Sequence, residues 1–208
     1  MLEIAGWIAI CFVSGSIPWA VIIGNVVMHK DVRRIGDGNP GAANAWKSGG
    51  FGPGIISATM EVSKSLVPVY VATQYLGHPV GLVSQIGMAM VAFAPVVGHG
   101  WSPFLKFKGG KTLAASWGSW IAITNGMAFP VGCALLSFAH LLQRNHAITV
   151  TICLAGFLVI FMTINMQPYL ALFWAGNFLI VVYKHRSEYL KGMLLRDWVR
   201  KFVGRATC

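Results

Sequence analysis

Negative charge is what this chain has least of. Only 6 of its 208 residues are Asp or Glu, against 16 Lys or Arg, and charged residues make up 11% of the whole. A soluble domain carries about 25% charged residues, so an ordinary water-facing surface is excluded. Cysteine is scarce too. Cys11, Cys133 and Cys153 lie in apolar runs, Cys208 ends the sequence, and none makes a C-x-x-C spacing, which argues against a disulfide framework. The histidines are scattered, so no metal site is expected. The residues before the first apolar run include Glu3 but no Lys or Arg, unlike the basic start of a signal peptide; this run reads as a first transmembrane helix. The net charge of +10 raises nucleic acid as a partner. Cytoplasmic loops of membrane proteins carry such charge, and no nucleic acid is expected.

What the chain has in quantity is apolar sequence, 56% of residues. Apolar runs fall at 4–28, 54–75, 80–97, 113–124, 127–142, 147–164 and 169–183. The fold class expected is therefore all-α, a polytopic membrane bundle of about seven helices, some of them short. Positive charge alternates between the connections. Lys30, Arg33, Arg34 and Lys47 follow the first run, Lys106, Lys108 and Lys111 the third, and Arg144 the fifth. Lys184, Arg186, Lys191, Arg196, Arg200, Lys201 and Arg205 follow the last. The N-terminus and the loops near His78, Asn125 and Met166 carry no Lys or Arg. Basic loops stay inside, so the N-terminus is expected outside and the C-terminus in the cytoplasm. Residues 1–208 are expected to form one integral membrane domain, with 184–208 a basic tail suited to an anionic leaflet. Trp7, Trp19, Trp101, Trp120 and Trp174 fall near run ends or in loops, where interfacial aromatics belong.

The two connections richest in chemistry share the cytoplasmic face. The first, 33–44, reads RRIGDGNPGAAN; the second, 98–112, reads GHGWSPFLKFKGGKT. Gly36 to Gly41 matches G-x-G-x-x-G literally, but the dinucleotide motif needs a preceding strand, and here an apolar helix precedes it. Gly110-Lys111-Thr112 resembles the end of a P-loop, yet the position of that motif's first glycine is Leu105, so that reading also fails. Glycines let backbone N–H groups approach an anion, and Lys or Arg add charge. Two such loops on one face favour a phosphate site over plain topological anchoring. Glu61 and Lys64, three residues apart in an apolar run, share one helical face; a structural ion pair is favoured there over a functional one. His99, beside three lysines, is read either as an interfacial histidine or as a phosphate ligand or proton carrier.

These residues carry a resemblance. The chain resembles the bacterial membrane-integral acyl-phosphate:glycerol-3-phosphate acyltransferases. The blocks concerned are Gly15-Ser16-Ile17-Pro18, Asp31-Val32-Arg33 through Gly38-Asn39-Pro40-Gly41-Ala42-x-Asn44, Gly98-His99 with Phe107-Lys108-Gly109-Gly110-Lys111, and Lys184-His185-Arg186. The resemblance implies transfer of a fatty acyl group from acyl phosphate to the primary hydroxyl of glycerol 3-phosphate, giving lysophosphatidate and inorganic phosphate in phospholipid synthesis. It implies no cofactor, no acyl-CoA, membrane lipids as surroundings, and no obligate protein partner. The site would face the cytoplasm at the cell inner membrane. Ser16, Arg33, Asn39, Gly41 and Asn44 are expected to hold one phosphate. Lys108, Gly109, Gly110 and Lys111 are expected to hold the other and stabilise charge on the carbonyl oxygen, with His99 and His185 orienting groups or relaying protons.

The chain also departs from the family pattern within these blocks. G-S-G-N has become Gly36-Asp37-Gly38-Asn39, G-A-T-N has become Gly41-Ala42-Ala43-Asn44, and K-G-G-K-G has become Lys108-Gly109-Gly110-Lys111-Thr112. Ala115 replaces a later Thr, and Ser187-Glu188 stands where Glu-Asn is usual. Asp37 would repel phosphate unless paired, with Arg33 or Arg34 the near candidates. The departures keep three alternatives open: a divergent paralogue with another acceptor or donor, a non-catalytic lipid- or phosphate-binding membrane protein, and a transporter.

Overall fold

A computed structural model describes residues 1–164 and 167–206. The loop expected near Met166, the terminal Cys208, and the side chains of Phe202 and Arg205 lie outside the described residues. The chain is all-α, as α1 (Leu2–Ser16), α2 (Trp19–Val27), α3 (Ala42–Gly49), α4 (Phe51–Leu76), α5 (Leu82–Gly100), α6 (Leu113–Ile123), α7 (Ala128–Leu142), α8 (His146–Thr163), α9 (Pro168–Tyr189) and α10 (Asp197–Ala206). Among the described residues the only β pairing is an isolated bridge between Gln143 and Leu195. All seven apolar runs are helical. Among the described residues three segments, Leu2–Val27, Phe51–Leu76 and Leu82–Leu105, are long and apolar enough to cross a membrane, while α6, α7 and the apolar part of α8 are shorter.

The first run is not one helix. Proline lacks an N–H and disfavours a helical residue before it, so Pro18 ends α1 and Ile17 turns extended, at φ −64° and ψ 121°. A break within an apolar segment leaves backbone groups that must find partners inside the protein. Here α4 supplies them. The Ile17 carbonyl accepts from Lys64 Nζ at 2.7 Å, and the Ala20 N–H donates to Glu61 Oε1 at 2.9 Å. Glu61 Oε2 lies 2.6 Å from Lys64 Nζ and 3.1 Å from His99 Nδ1 on α5. All three side chains are buried. The Glu61–Lys64 ion pair is thus present on one helical face, with His99 as a third member.

Close packing of small residues holds the helices at the same level. A Cβ on Gly98 of α5 would lie 2.8 Å from Ser16 Oγ, and one on Gly118 of α6 would lie 2.8 Å from the Leu66 nitrogen of α4. Approach of this kind drives helix association where lipid removes the hydrophobic difference. Trp120 corrects the interfacial assignment. It is buried at the centre of the bundle, stacked on Phe161 at 5.2 Å with Phe157 and Phe173 edge-on. Its place in α6 turns the indole inward, which nearness to a run end does not reveal.

The basic tail also starts later than residue 184. Nothing interrupts the helix there, so Lys184, His185 and Arg186 belong to α9, and the chain turns only near Gly192, at φ +64°. It then folds back on α7: the Arg196 Nε donates to the His140 carbonyl at 2.7 Å and the Trp198 Nε1 to the Leu141 carbonyl at 3.0 Å.

Thr112 enters α6 at φ +67°. That left-handed conformation is unfavourable for a β-branched residue. Its hydroxyl is buried without a hydrogen-bond partner. Thr112→Gly is therefore expected to raise thermal stability by about 1 kcal/mol, since relieved backbone strain and a removed unpaired hydroxyl outweigh the entropy of glycine; an unfolding curve in detergent with an unchanged or lower midpoint would contradict the strain. Glu61→Ala, which leaves Lys64 buried without its partner, is expected to cost about 3–5 kcal/mol. Joint replacement by Glu61→Leu and Lys64→Met removes the unpaired charge but leaves the Ile17 carbonyl and the Ala20 N–H without their partners, so it should recover only part of that loss in the same assay; equal stability of all three proteins would remove the cluster's structural role.

Candidate active site

The two glycine-rich loops converge with the end of α9 on one cavity of about 710 Å³, within the ~300–1,000 Å³ range of small-molecule sites. Of the expected residues, Asn39, Gly41, Asn44, His99, Lys111 and His185 line it. Ser16, Arg33, Lys108, Gly109 and Gly110 do not.

The first loop is held by its own polar groups. Asn44, buried in α3, donates from Nδ2 to Asp37 Oδ1 and to the Asn39 carbonyl, each at 2.9 Å. The Asn39 N–H donates to the same Asp37 oxygen at 3.2 Å. Gly41 precedes α3, so the N–H groups of Ala42 and Ala43 have no intrahelical acceptor, and both residues line the cavity at the positive end of the helix. Arg33 is elsewhere. Asp31 caps a single 3-10 turn, Val32–Arg34, by accepting from the Arg33 N–H at 3.0 Å, and the guanidinium folds back on the same carboxylate with two contacts of 2.9 Å. The guanidinium beside Asp31 holds its carboxyl down at about 2.

That arrangement corrects the expected partner of Asp37. Neither Arg33 nor Arg34 pairs with it, because Arg33 is already satisfied two residues away. Lys111 does, from the other loop, at 2.6 Å. The same ammonium also contacts Glu188 at the end of α9. Partial burial alone would raise the Asp37 carboxyl, but the Lys111 ammonium, the Asn44 amide and the Asn39 N–H outweigh it and hold it at about 2. Burial alone would likewise lower Lys111; its two carboxylates hold it above the ordinary lysine value.

The second loop folds back on the end of α5. The Gly110 N–H donates to the His99 carbonyl at 3.0 Å, and a Cβ at Gly110 would sit 3.0 Å from His99 Cε1. The two glycines thus seat the loop against a histidine fixed by Glu61, and the Gly110 N–H is engaged with backbone. Lys108 is exposed. Ser16 is buried in α1 with its hydroxyl on the Phe12 carbonyl, while its own carbonyl accepts from Ser102 Oγ at 2.6 Å. His185 is buried, with Nδ1 2.8 Å from the Val181 carbonyl.

Sequence reasoning missed several cavity residues. Lys47 and Arg144 enter the sequence argument only through their charge, and nothing in the sequence around His146 marks it, yet all three line the cavity with Asn145 and Lys191. Asn145 caps α8 through its Oδ1 on the Ala147 N–H, and its Nδ2 donates to the carbonyls of Glu188 and Gly192 at 2.9 and 2.8 Å. An Asn directly before an apolar helix is a visible cap signal; its grip on α9 is not.

The chain is similar to known proteins in sequence and in fold. The sequence pattern of the family described as glycerol-3-phosphate acyltransferase matches residues 5–193. Glycerol-3-phosphate acyltransferase 1 of Thermotoga maritima is 34% identical over 201 residues, covering 89% of this chain and 97% of that one. The Desulfovibrio desulfuricans glycerol-3-phosphate acyltransferase is 33% identical over 193 residues, covering 92% and 82%. Crystal structures of PlsY, an integral membrane glycerol 3-phosphate acyltransferase, superpose over 90% of both chains. The TM-score is 0.77 for the glycerol 3-phosphate form and 0.80 for the lysophosphatidic acid form, at 19% and 18% identity. The fold is shared with them.

Proposed function

The chain belongs to the glycerol-3-phosphate acyltransferase family, and from that premise we propose an integral membrane enzyme that moves a fatty acyl group from acyl phosphate to the primary hydroxyl of glycerol 3-phosphate. The products are lysophosphatidate and inorganic phosphate. The observation that carries the reading is the meeting of Asn39, Gly41, Asn44, Lys111 and His185 around one cavity, from loops far apart in sequence.

The reaction needs two phosphates near each other and a hydroxyl aimed at a carbonyl carbon. The N-terminus of α3 with Lys47 suits one phosphate; Lys111 and Lys191 suit the other. The hydroxyl oxygen forms the new ester bond as the bond from the carbonyl carbon to the phosphate oxygen breaks. Lys111 offsets charge growing on the reacting oxygens. With its proton on Nδ1 toward the Val181 carbonyl, His185 leaves Nε2 to take the hydroxyl proton, or the departing phosphate takes it directly. An acyl phosphate is already activated, so positioning and electrostatics supply most of the catalysis and a covalent serine is not needed.

His99 acts at one remove, through the loop that Gly109 and Gly110 seat against it. Ser16 supports that loop through Ser102. Lys108, exposed, draws anionic substrates toward the site, while Arg33, held on Asp31, shapes the first loop. We place the site on the cytoplasmic face of the inner membrane, with seven spans, the N-terminus outside and the C-terminus inside. The alternation of basic loops supports that orientation. No cofactor, metal or obligate protein partner enters the scheme.

Purified protein in lipid, supplied with acyl phosphate and glycerol 3-phosphate, is expected to release phosphate and lysophosphatidate in equal amounts, and acyl-CoA should not replace the donor. Lys111→Ala should lower turnover by about 100- to 1,000-fold, while His140→Ala, whose ring lies outside the cavity lining, stays near wild type. Phosphate release without lysophosphatidate, or equal turnover in the two variants, would overturn the assignment.

A further inference from the structure

This chain has six acidic residues, and five of them sit on cations: Asp31 on Arg33, Glu61 on Lys64, Asp197 on Arg144, and both Asp37 and Glu188 on Lys111. Lys111 alone takes two. Its partners stand 74 and 77 residues away in sequence, one in the loop before α3 and one at the end of α9, so the ammonium ties three segments together in the cavity wall. The tie carries one positive and two negative charges. A phosphate approaching this lysine therefore meets an ammonium whose charge is already answered, flanked by carboxylates that repel it.

We propose that Asp37 and Glu188 are specificity-determining residues that compete with a substrate phosphate for Lys111, so that a phosphate group binds there only by displacing one of them. The inference rests on the acyl-transfer reading for the identity of the substrates, and its ligand chemistry is a phosphate monoester or an acyl phosphate. The geometry names the carboxylate that yields. Asp37 Oδ1 is anchored by Asn44 and Asn39, while only Oδ2 reaches Lys111. The side chain of Asp37 is 46% exposed against 19% for Glu188. Asp37 can release the lysine and keep its loop folded. Affinity for phosphate is held down, and occupancy of the site is linked to release of the first loop from the second.

The test uses Asp37→Asn and Glu188→Gln, which remove charge with little change of shape; Asn at 37 retains the oxygen that Asn39 and Asn44 use. Glu3→Gln at the far end of α1 is the charge-matched control. Direct titration of purified protein with inorganic phosphate and with glycerol 3-phosphate, by calorimetry, needs no turnover. Each carboxamide variant is expected to bind about three- to tenfold tighter, the worth of one partly exposed charge-assisted hydrogen bond. Tighter binding cannot come from a damaged fold. In the turnover assay the gain should appear in KM, with kcat changing less. A lower KM for glycerol 3-phosphate would assign Lys111 to the acceptor, and a lower KM for acyl phosphate would assign it to the donor. Tightening in Asp37→Asn, alone or with Glu188→Gln, and with the control unmoved, supports the clamp; tightening in Glu188→Gln alone overturns Asp37 as the carboxylate displaced. Unchanged or weaker binding in both overturns it. Absence of turnover in the wild type would count against the acyl-transfer reading and leave the titration to judge the clamp.

Discussion

The buried Glu61 carboxylate is the constraint on which the rest of the structure depends. It takes the Ala20 N–H, the Lys64 ammonium and the His99 ring at once, joining α2, α4 and α5 at one level. The arrangement is possible only because Pro18 breaks the first apolar segment: an unbroken helix would keep the Ala20 N–H and the Ile17 carbonyl for itself. Buried ions cost several kcal/mol each in lost hydration, and a well-packed apolar replacement is often as stable. What the cluster contributes is geometry. It fixes the His99 ring, Gly110 packs on that ring, and the next residue is Lys111. The position of the principal cavity lysine thus follows from a proline more than ninety residues before it.

The features legible in the sequence are those that hydropathy and local composition encode. All seven apolar runs are helical, and both glycine- and lysine-rich loops reach the cavity. The misreadings share a physical cause. Hydropathy passes smoothly through Ile17 and Pro18, because a proline is apolar enough to leave the average unchanged while removing a hydrogen-bond donor. Trp120 lies near the end of a run, but burial depends on which way the helix faces, and α6 faces the aromatic cluster. The basic composition after 184 suggested a tail, yet charge does not end a helix; the turn waits for Gly192. Asp37 had arginines within four residues, and Arg33 chose Asp31 because the capped 3-10 turn brings that carboxylate back to it. Pairing with Lys111 needs the tertiary fold.

The glycines of the second loop have a different use from the one their composition suggests. Flexible glycines beside lysines imply a nest of N–H groups around an anion. Here the Gly110 N–H is bonded to the His99 carbonyl, and the missing side chain makes room for the imidazole. The residues with backbone donors to spare belong to the other loop, at the start of α3, where Ala42 and Ala43 line the cavity and their N–H groups lack intrahelical acceptors. The two loops therefore divide the work: one presents backbone dipoles and amides, the other a single charge mounted on a packed platform.

Asp37, Thr112 and Glu188 surround that one charge. Thr112 follows Lys111 directly and is held left-handed within buried structure, which narrows the paths the loop can take. Two carboxylates fix the other end of the lysine. A side chain so restrained has already lost rotamer freedom of the order of 2 kcal/mol, which a phosphate arriving at a free lysine would have to overcome on binding. The carboxylates therefore act in two opposed ways. They compete for the ammonium, which weakens binding, and they orient it, which reduces the ordering left for the substrate. The balance falls toward weaker binding, because a displaced carboxylate must be rehydrated beside an incoming dianion, whereas the orientation survives as long as the second carboxylate stays in place.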